Sequence, residues 1–103
     1  MSVIVPTWNR PDLVAVAVRS ALAQRVDGLE VIVVVDGRDE ETTSALRLIG
    51  DERIVVHVPH RRMGSADARN EGVRLASASW VAFLDDDDEW LPRKLEFQLD
   101  AAR

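Results

Sequence analysis

The segment Leu29–Val35 reads LEVIVVV, apolar except for Glu30 and β-branched at five of its seven positions. A strand with one wet face alternates apolar and polar residues, whereas a near-continuous apolar run marks a parallel strand covered on both faces. Parallel neighbours cannot be joined by a hairpin, so the chain must cross the sheet between strands, usually through a helix. The flanking sequence supplies such crossovers. Ser2–Pro6 (SVIVP) is a short β-branched run stopped by proline, the pattern of a first buried strand. Pro11 then opens a helix with Leu13, Val14, Ala17, Val18, Ala21 and Leu22 at helical spacing. A second helix is expected over Asp39–Ile49, with acids in its first turn and Gly50 past its end. Arg53–Val58 (RIVVHV) reads as the third strand, Ser65–Ala78 as an Ala-rich helix and Trp80–Leu84 as the fourth strand. Pro92 suits the first turn of a last helix carrying Leu95 and Leu99. Trp80 and Phe83 are expected in the core.

The order βαβαβαβα, with short connections and no internal repeat, predicts an α/β fold: a Rossmann-like, mostly parallel sheet with helices on both faces. The 103 residues suit one domain, 1–103. In such sheets ligands bind beyond the carboxyl ends of the strands. Four polar clusters stand at those ends: TWNR after the first strand, DGRDE after the second, PHRRMGSADARN after the third and DDDDEW after the fourth.

Composition narrows the function classes. The chain has no cysteine, so it has neither a disulfide nor a thiolate metal site. It has no apolar run of membrane-spanning length and no signal-like N-terminus, and reads as cytoplasmic, with the inner face of a membrane as the other placement. A net charge of -5 argues against general nucleic-acid binding, although Arg61-Arg62 and Arg69 to Arg74 form a local basic zone.

The acidic run Asp85–Glu89, driven against an apolar strand, needs compensating positive charge. In an extended segment Asp85 and Asp87 share a face while Asp86 and Asp88 turn away, giving a D-x-D pair. Such hard oxygen donors suit Mg²⁺ or Mn²⁺ completed by substrate phosphates; the alternative is a solvated acidic loop. Asp36, at the tip of the second strand, can accept hydrogen bonds from a base or ribose, or simply form an Asp-Gly turn with Gly37. No G-x-G-x-x-G or P-loop pattern occurs, so phosphate charge falls to a metal. His57 and His60 lack a partner ligand set and read as structural or exposed, and Arg61-Arg62 as a solvated basic loop, with contact to a ligand phosphate as the alternative. Trp8 covers the site or packs beside it.

The blocks VIVPTWNRPDLVAVAVRSALAQ, LEVIVVVDG and GSADARNEGVRLASASWVAFLDDDDEWLPRKLEFQL resemble, in order and at similar spacing, the inverting family 2 glycosyltransferases of GT-A fold. The resemblance covers nearly the whole chain and implies the N-terminal, nucleotide-sugar-binding half of such an enzyme. It implies transfer of a sugar from a UDP-, dTDP- or GDP-linked donor to an acceptor hydroxyl, with Mn²⁺ or Mg²⁺. By the same resemblance Thr7, Asn9 and Arg10 lie near the nucleoside, Asp36 contacts the base, and Arg69 lies near the nucleotide. Asp85 and Asp86 belong to the donor site, Asp87 and Asp85 hold the metal, and Asp88 is an accessory acid. Where the family often has a second acid before Asp36, this chain has Val35. The family's general base belongs to an acceptor-binding half beyond Arg103, so the resemblance assigns no catalytic base here. Glu89 and Glu96 are poor substitutes, and the isolated chain is expected to be inactive.

Three function classes follow: a sugar transferase domain, a non-catalytic nucleotide- and metal-binding or assembly fragment, and a receiver-type phosphotransfer domain. The last lacks support, because PTWN stands where an acid pair is needed and the single lysine, Lys94, lies beyond the acids. Homo-oligomerisation is also expected, with the Leu95 and Leu99 face of the last helix as a candidate contact.

Overall fold

The computed structural model describes residues 1–102. Its elements alternate strictly: β1 (Ser2–Thr7), α1 (Pro11–Leu22), β2 (Glu30–Val35), α2 (Glu40–Ile49), β3 (Ile54–His57), α3 (Ser65–Leu75), β4 (Val81–Phe83) and α4 (Lys94–Ala102). The strands form one parallel sheet in the order β3-β2-β1-β4. β1 and β2, the two central strands, pair from Ser2 opposite Glu30 to Thr7 opposite Val35.

The apolar run of β2 is explained by two cores. Val31, Val33 and Val35 join Val3 and Val5 of β1, the buried face of α1, Leu46 of α2 and Leu95 of α4. Ile32 and Val34 point the other way and pack with Ile4 and with Ala68 of α3. The helices therefore lie on both faces, as expected, with α3 alone on the thinner side. Its close approach to β1 requires Gly72, where a Cβ would lie 2.3 Å from Ile4 Cγ2.

Element ends follow local chemistry. α2 begins at Asp39, whose side chain accepts the Thr42 backbone N–H, and stops at Gly50 in the left-handed region (φ 68°). α3 stops at Leu75, three residues earlier than the sequence pattern allows. The cause is Glu30: its carboxylate accepts the Ser77 backbone N–H and hydroxyl and the Ser2 hydroxyl, drawing residue 77 out of the helix.

Two expectations about packing are corrected. Trp80 and Phe83 are not core residues: they are 55% and 50% exposed, because β4 pairs only with β1 and is an edge strand among the described residues. Leu95 is fully buried in the chain's own core, so it cannot serve as a contact for a second copy.

Candidate functional site at the sheet's carboxyl edge

The chain leaves β1 toward β2 and β3 on one side, and β4 returns on the other side of β1. This reversal leaves a crevice outside the carboxyl ends of β1 and β4, the position at which open α/β sheets hold ligands. A cleft of about 540 Å³ opens there and draws residues from the loops after all four strands. Thr7, Asn9, Arg10, Asp36, Arg69, Asp85, Asp86 and Asp87 all line it.

Thr7 ends β1 almost fully buried, and its hydroxyl donates to Asp86 at 2.8 Å. The next residues turn sharply, with Asn9 in the left-handed region (φ 56°) and its N–H donating to Asp39 at 2.9 Å. Asp39 thus caps α2 and ties the loop after β1 to the loop after β2. Its carboxyl is held below the ordinary range, chiefly by the Thr42 hydroxyl, which outweighs desolvation, with further help from the Thr42, Asn9 and Glu41 amides. Arg10, half-exposed, reaches Asp86 at 3.1 Å and Asp87 at 3.6 Å.

Asp36 is 5% exposed, and both its oxygens are engaged by the chain: they accept the N–H groups of Met63 and Gly64 at 2.8 and 3.0 Å. It fixes the loop that leads into α3. Gly37 (φ 118°) lets two side chains close above it, since a Cβ there would lie 3.1 Å from Arg62 Cγ and 3.4 Å from Trp8 Cδ1. The Arg62 guanidinium stacks 3.7 Å from the Trp8 ring centre, a cation–π contact forming one wall of the cleft. Arg62, though exposed, thus lines the cleft. The sequence signal for its stacking on Trp8 is the glycine after Asp36, which says that something approaches but not what. His60 is exposed, and His57 lies 3.7 Å from Glu71 on the α3 side, away from the cleft.

The acidic run is not extended. Asp85 to Asp88 make a turn closed by the Asp88 N–H donating to the Asp85 carbonyl at 3.0 Å. This corrects the expected alternation: Asp86 points back to Thr7 and Arg10, while Asp88 lies with Asp85 and Asp87, carboxylate oxygens of all three within 4.8 Å of one another. Three hard oxygen donors at that spacing fit Mg²⁺ or Mn²⁺ by donor chemistry. The positive charge that the run demands comes from Arg10 and from Arg69, whose Nη2 lies 3.0 Å from Asp85. The segment that follows the turn is held by the last turn of α1 and by Gln24 just beyond it. Ser20 Oγ accepts the Trp90 N–H, and the buried Gln24 donates to the Leu91 carbonyl while accepting the Leu95 N–H. Glu89 and Glu96 line grooves elsewhere and not the cleft.

An open α/β crevice with an acidic turn at its switch point is the place where sheets of this kind hold ligands. The model of the glycosyl transferase family 2 matches residues 2–103, and the chain belongs to that family. It is 39% identical over 102 residues to the putative teichuronic acid biosynthesis glycosyltransferase TuaG of Bacillus subtilis, covering 97% of this chain and 40% of TuaG. Among solved structures it is similar to the mannosyltransferase PcManGT from Pyrobaculum calidifontis, in complex with GDP-Man and Mn²⁺. That match has TM-score 0.79 and 30% identity over 90% of this chain and 29% of that one. It is also similar to S. aureus TarS 1-349 in complex with UDP, with TM-score 0.80 and 28% identity over 98% of this chain and 30% of that one. These neighbours are GT-A glycosyltransferases, and the chain spans well under half of each protein it matches here. No described helix is long and apolar enough to cross a membrane.

Proposed function

We propose that the cleft binds the nucleoside diphosphate of a UDP-, dTDP- or GDP-linked sugar together with Mn²⁺ or Mg²⁺. Residues 1–103 then form the donor-binding portion of an inverting GT-A glycosyltransferase. The observation that carries this reading is the meeting of Thr7, Arg10, Asp36, Arg69 and Asp85–Asp87 in one cleft at the β1/β4 switch point. The complexes of PcManGT with GDP-Man and Mn²⁺ and of TarS with UDP support it.

In this reading Asp85, Asp87 and Asp88 would hold the cation, which would supply positive charge to offset that of a diphosphate leaving group. Trp8 and Asp36, on the β2 side, border the base and ribose, while Arg10 and Arg69 offer guanidinium groups to anionic oxygens beside the turn. Asp86 works indirectly, accepting the Thr7 hydroxyl and so holding the turn against the end of β1.

Calorimetric titration with UDP, dTDP and GDP, with and without Mn²⁺, on the parent and on Asp87→Ala tests the proposal. The expected result is binding of one nucleotide that requires Mn²⁺ and is lost in Asp87→Ala. Absence of binding to the folded chain, or binding indifferent to both Mn²⁺ and the substitution, overturns it.

A further inference from the structure

Two of the three acids that this reading gives to a cation, Asp85 and Asp87, are already in use. Arg69, on the second turn of α3, lies 3.0 Å from Asp85, and Arg10, ahead of α1, lies 3.1 Å from Asp86 and 3.6 Å from Asp87. Two guanidinium groups from opposite walls thus engage three consecutive carboxylates. They answer the mutual repulsion of the acidic turn, and through Asp85 and Asp87 they occupy two of the three carboxylates that a divalent ion would use. Both remain partly exposed, Arg10 at 50% and Arg69 at 39%, so neither is locked in place by packing. Among the described residues neither has a carboxylate partner outside the turn.

We propose that Arg10 and Arg69 are exchangeable counter-cations. They hold the acidic turn together in the metal-free cleft, and they pass to the anionic oxygens of the nucleoside diphosphate when a divalent cation takes the carboxylates. The inference rests on the reading of the cleft given above. A second positive centre arriving at Asp85 and Asp87 weakens the attraction that keeps the arginines there, and guanidinium is the side chain best matched to phosphate oxygens. Cation and nucleotide therefore favour each other's binding, and the coupling is reciprocal.

This gives the arginines effects of opposite sign on the two ligands. Arg69→Gln and Arg10→Gln remove a competitor of the metal and a partner of the nucleotide. Titration with Mn²⁺ alone, read by the EPR signal of the free ion, is expected to show tighter binding in each variant. The gain should be about 2- to 5-fold, the size of one exposed ion pair, and should shrink at high salt. Titration with the nucleotide at saturating Mn²⁺ is expected to show binding weakened about 10-fold or more, as for loss of a hydrogen bond to a charged group. Arg74→Gln, which changes the charge equally but pairs with Glu71 away from the turn, is expected to leave Mn²⁺ binding unchanged.

If Mn²⁺ affinity in Arg69→Gln and Arg10→Gln is unchanged while nucleotide affinity falls, the arginines are plain ligand contacts and the exchange is refuted. If both affinities fall, they are structural, and the exchange is again refuted. If the parent binds no Mn²⁺, or binds it regardless of Asp87→Ala, the reading of the site itself fails. Asp87-dependent binding with no gain in the arginine variants sinks the exchange alone.

Discussion

Replacing Asp36 with Asn keeps the shape of the side chain and changes its hydrogen bonding. In the parent the carboxylate accepts Met63 N–H at 2.8 Å and Gly64 N–H at 3.0 Å from a position 5% exposed. An amide can accept one of these and must turn its own NH₂ toward the other. One charge-assisted bond, worth about 1.5–3 kcal/mol, is lost, and the survivor drops to the neutral range of about 0.5–1.5 kcal/mol. The combined loss is about 2–4 kcal/mol, concentrated on the loop between β3 and α3. Native-state hydrogen exchange is the direct assay: the amides of residues 63 and 64 should lose protection by roughly 30- to 1000-fold, with a smaller change at the β1 and β2 amides. Arg62 and the N-terminus of α3 ride on this loop, so nucleotide binding should weaken as the loop loosens. Full protection of both amides in Asp36→Asn, combined with loss of nucleotide binding, would refute the reasoning and make Asp36 a direct ligand contact.

Gly72→Ala should destabilise the chain by about 1–2 kcal/mol, because overpacking outweighs the gain in helix propensity. The cause is a Cβ that would sit 2.3 Å from Ile4 Cγ2. Ile4→Ala should relieve that clash, so urea unfolding of the single and double variants should give a favourable coupling, and simple additivity would discard the explanation. Gly37→Ala should cost about 1–3 kcal/mol through its positive φ. Because the new Cβ meets Arg62 and Trp8, it should also shift tryptophan emission, and an unchanged spectrum would count against the stacked wall. Asp51 is held at about 2, well below its ordinary 3.8, by side-chain and backbone hydrogen bonds from Arg53. A depressed carboxylate stabilises the fold above its unfolded value, and that contribution fades as pH falls from about 4 through about 2. Asp51→Asn should therefore flatten the acid limb of the urea midpoint against pH; parallel curves for parent and variant would contradict the assignment.

The strands and helices were legible because their signals are local. LEVIVVV names a strand covered on both faces without reference to any partner, and Asp39 and Gly50 bracket α2 with groups that act within a few residues. The limits of α3 and β4 were not. α3 ends where Glu30, 47 residues earlier in the chain, captures Ser77. Trp80 and Phe83 carry the same apolar signal in an edge strand as they would in a central one, and strand order alone separates the two cases.

The residue types of the cleft were readable for the same reason as the strands. In a parallel α/β sheet the polar clusters after successive strands must lie along one edge, so their positions in the sequence determine which residues can meet. The sequence by itself therefore determined the sheet, its two covered faces and the set of groups at its carboxyl edge. Only the tertiary structure decided which of those groups touch. Thr7 meets Asp86 across 79 positions, Asp36 holds residues 63 and 64, Arg62 lies on Trp8, and a turn places Asp88 beside Asp85 and Asp87. The physical reason is range: periodicity and capping are set within a few residues, whereas the pairing of charges and rings depends on strand order and on how closely α3 approaches β1 at Gly72.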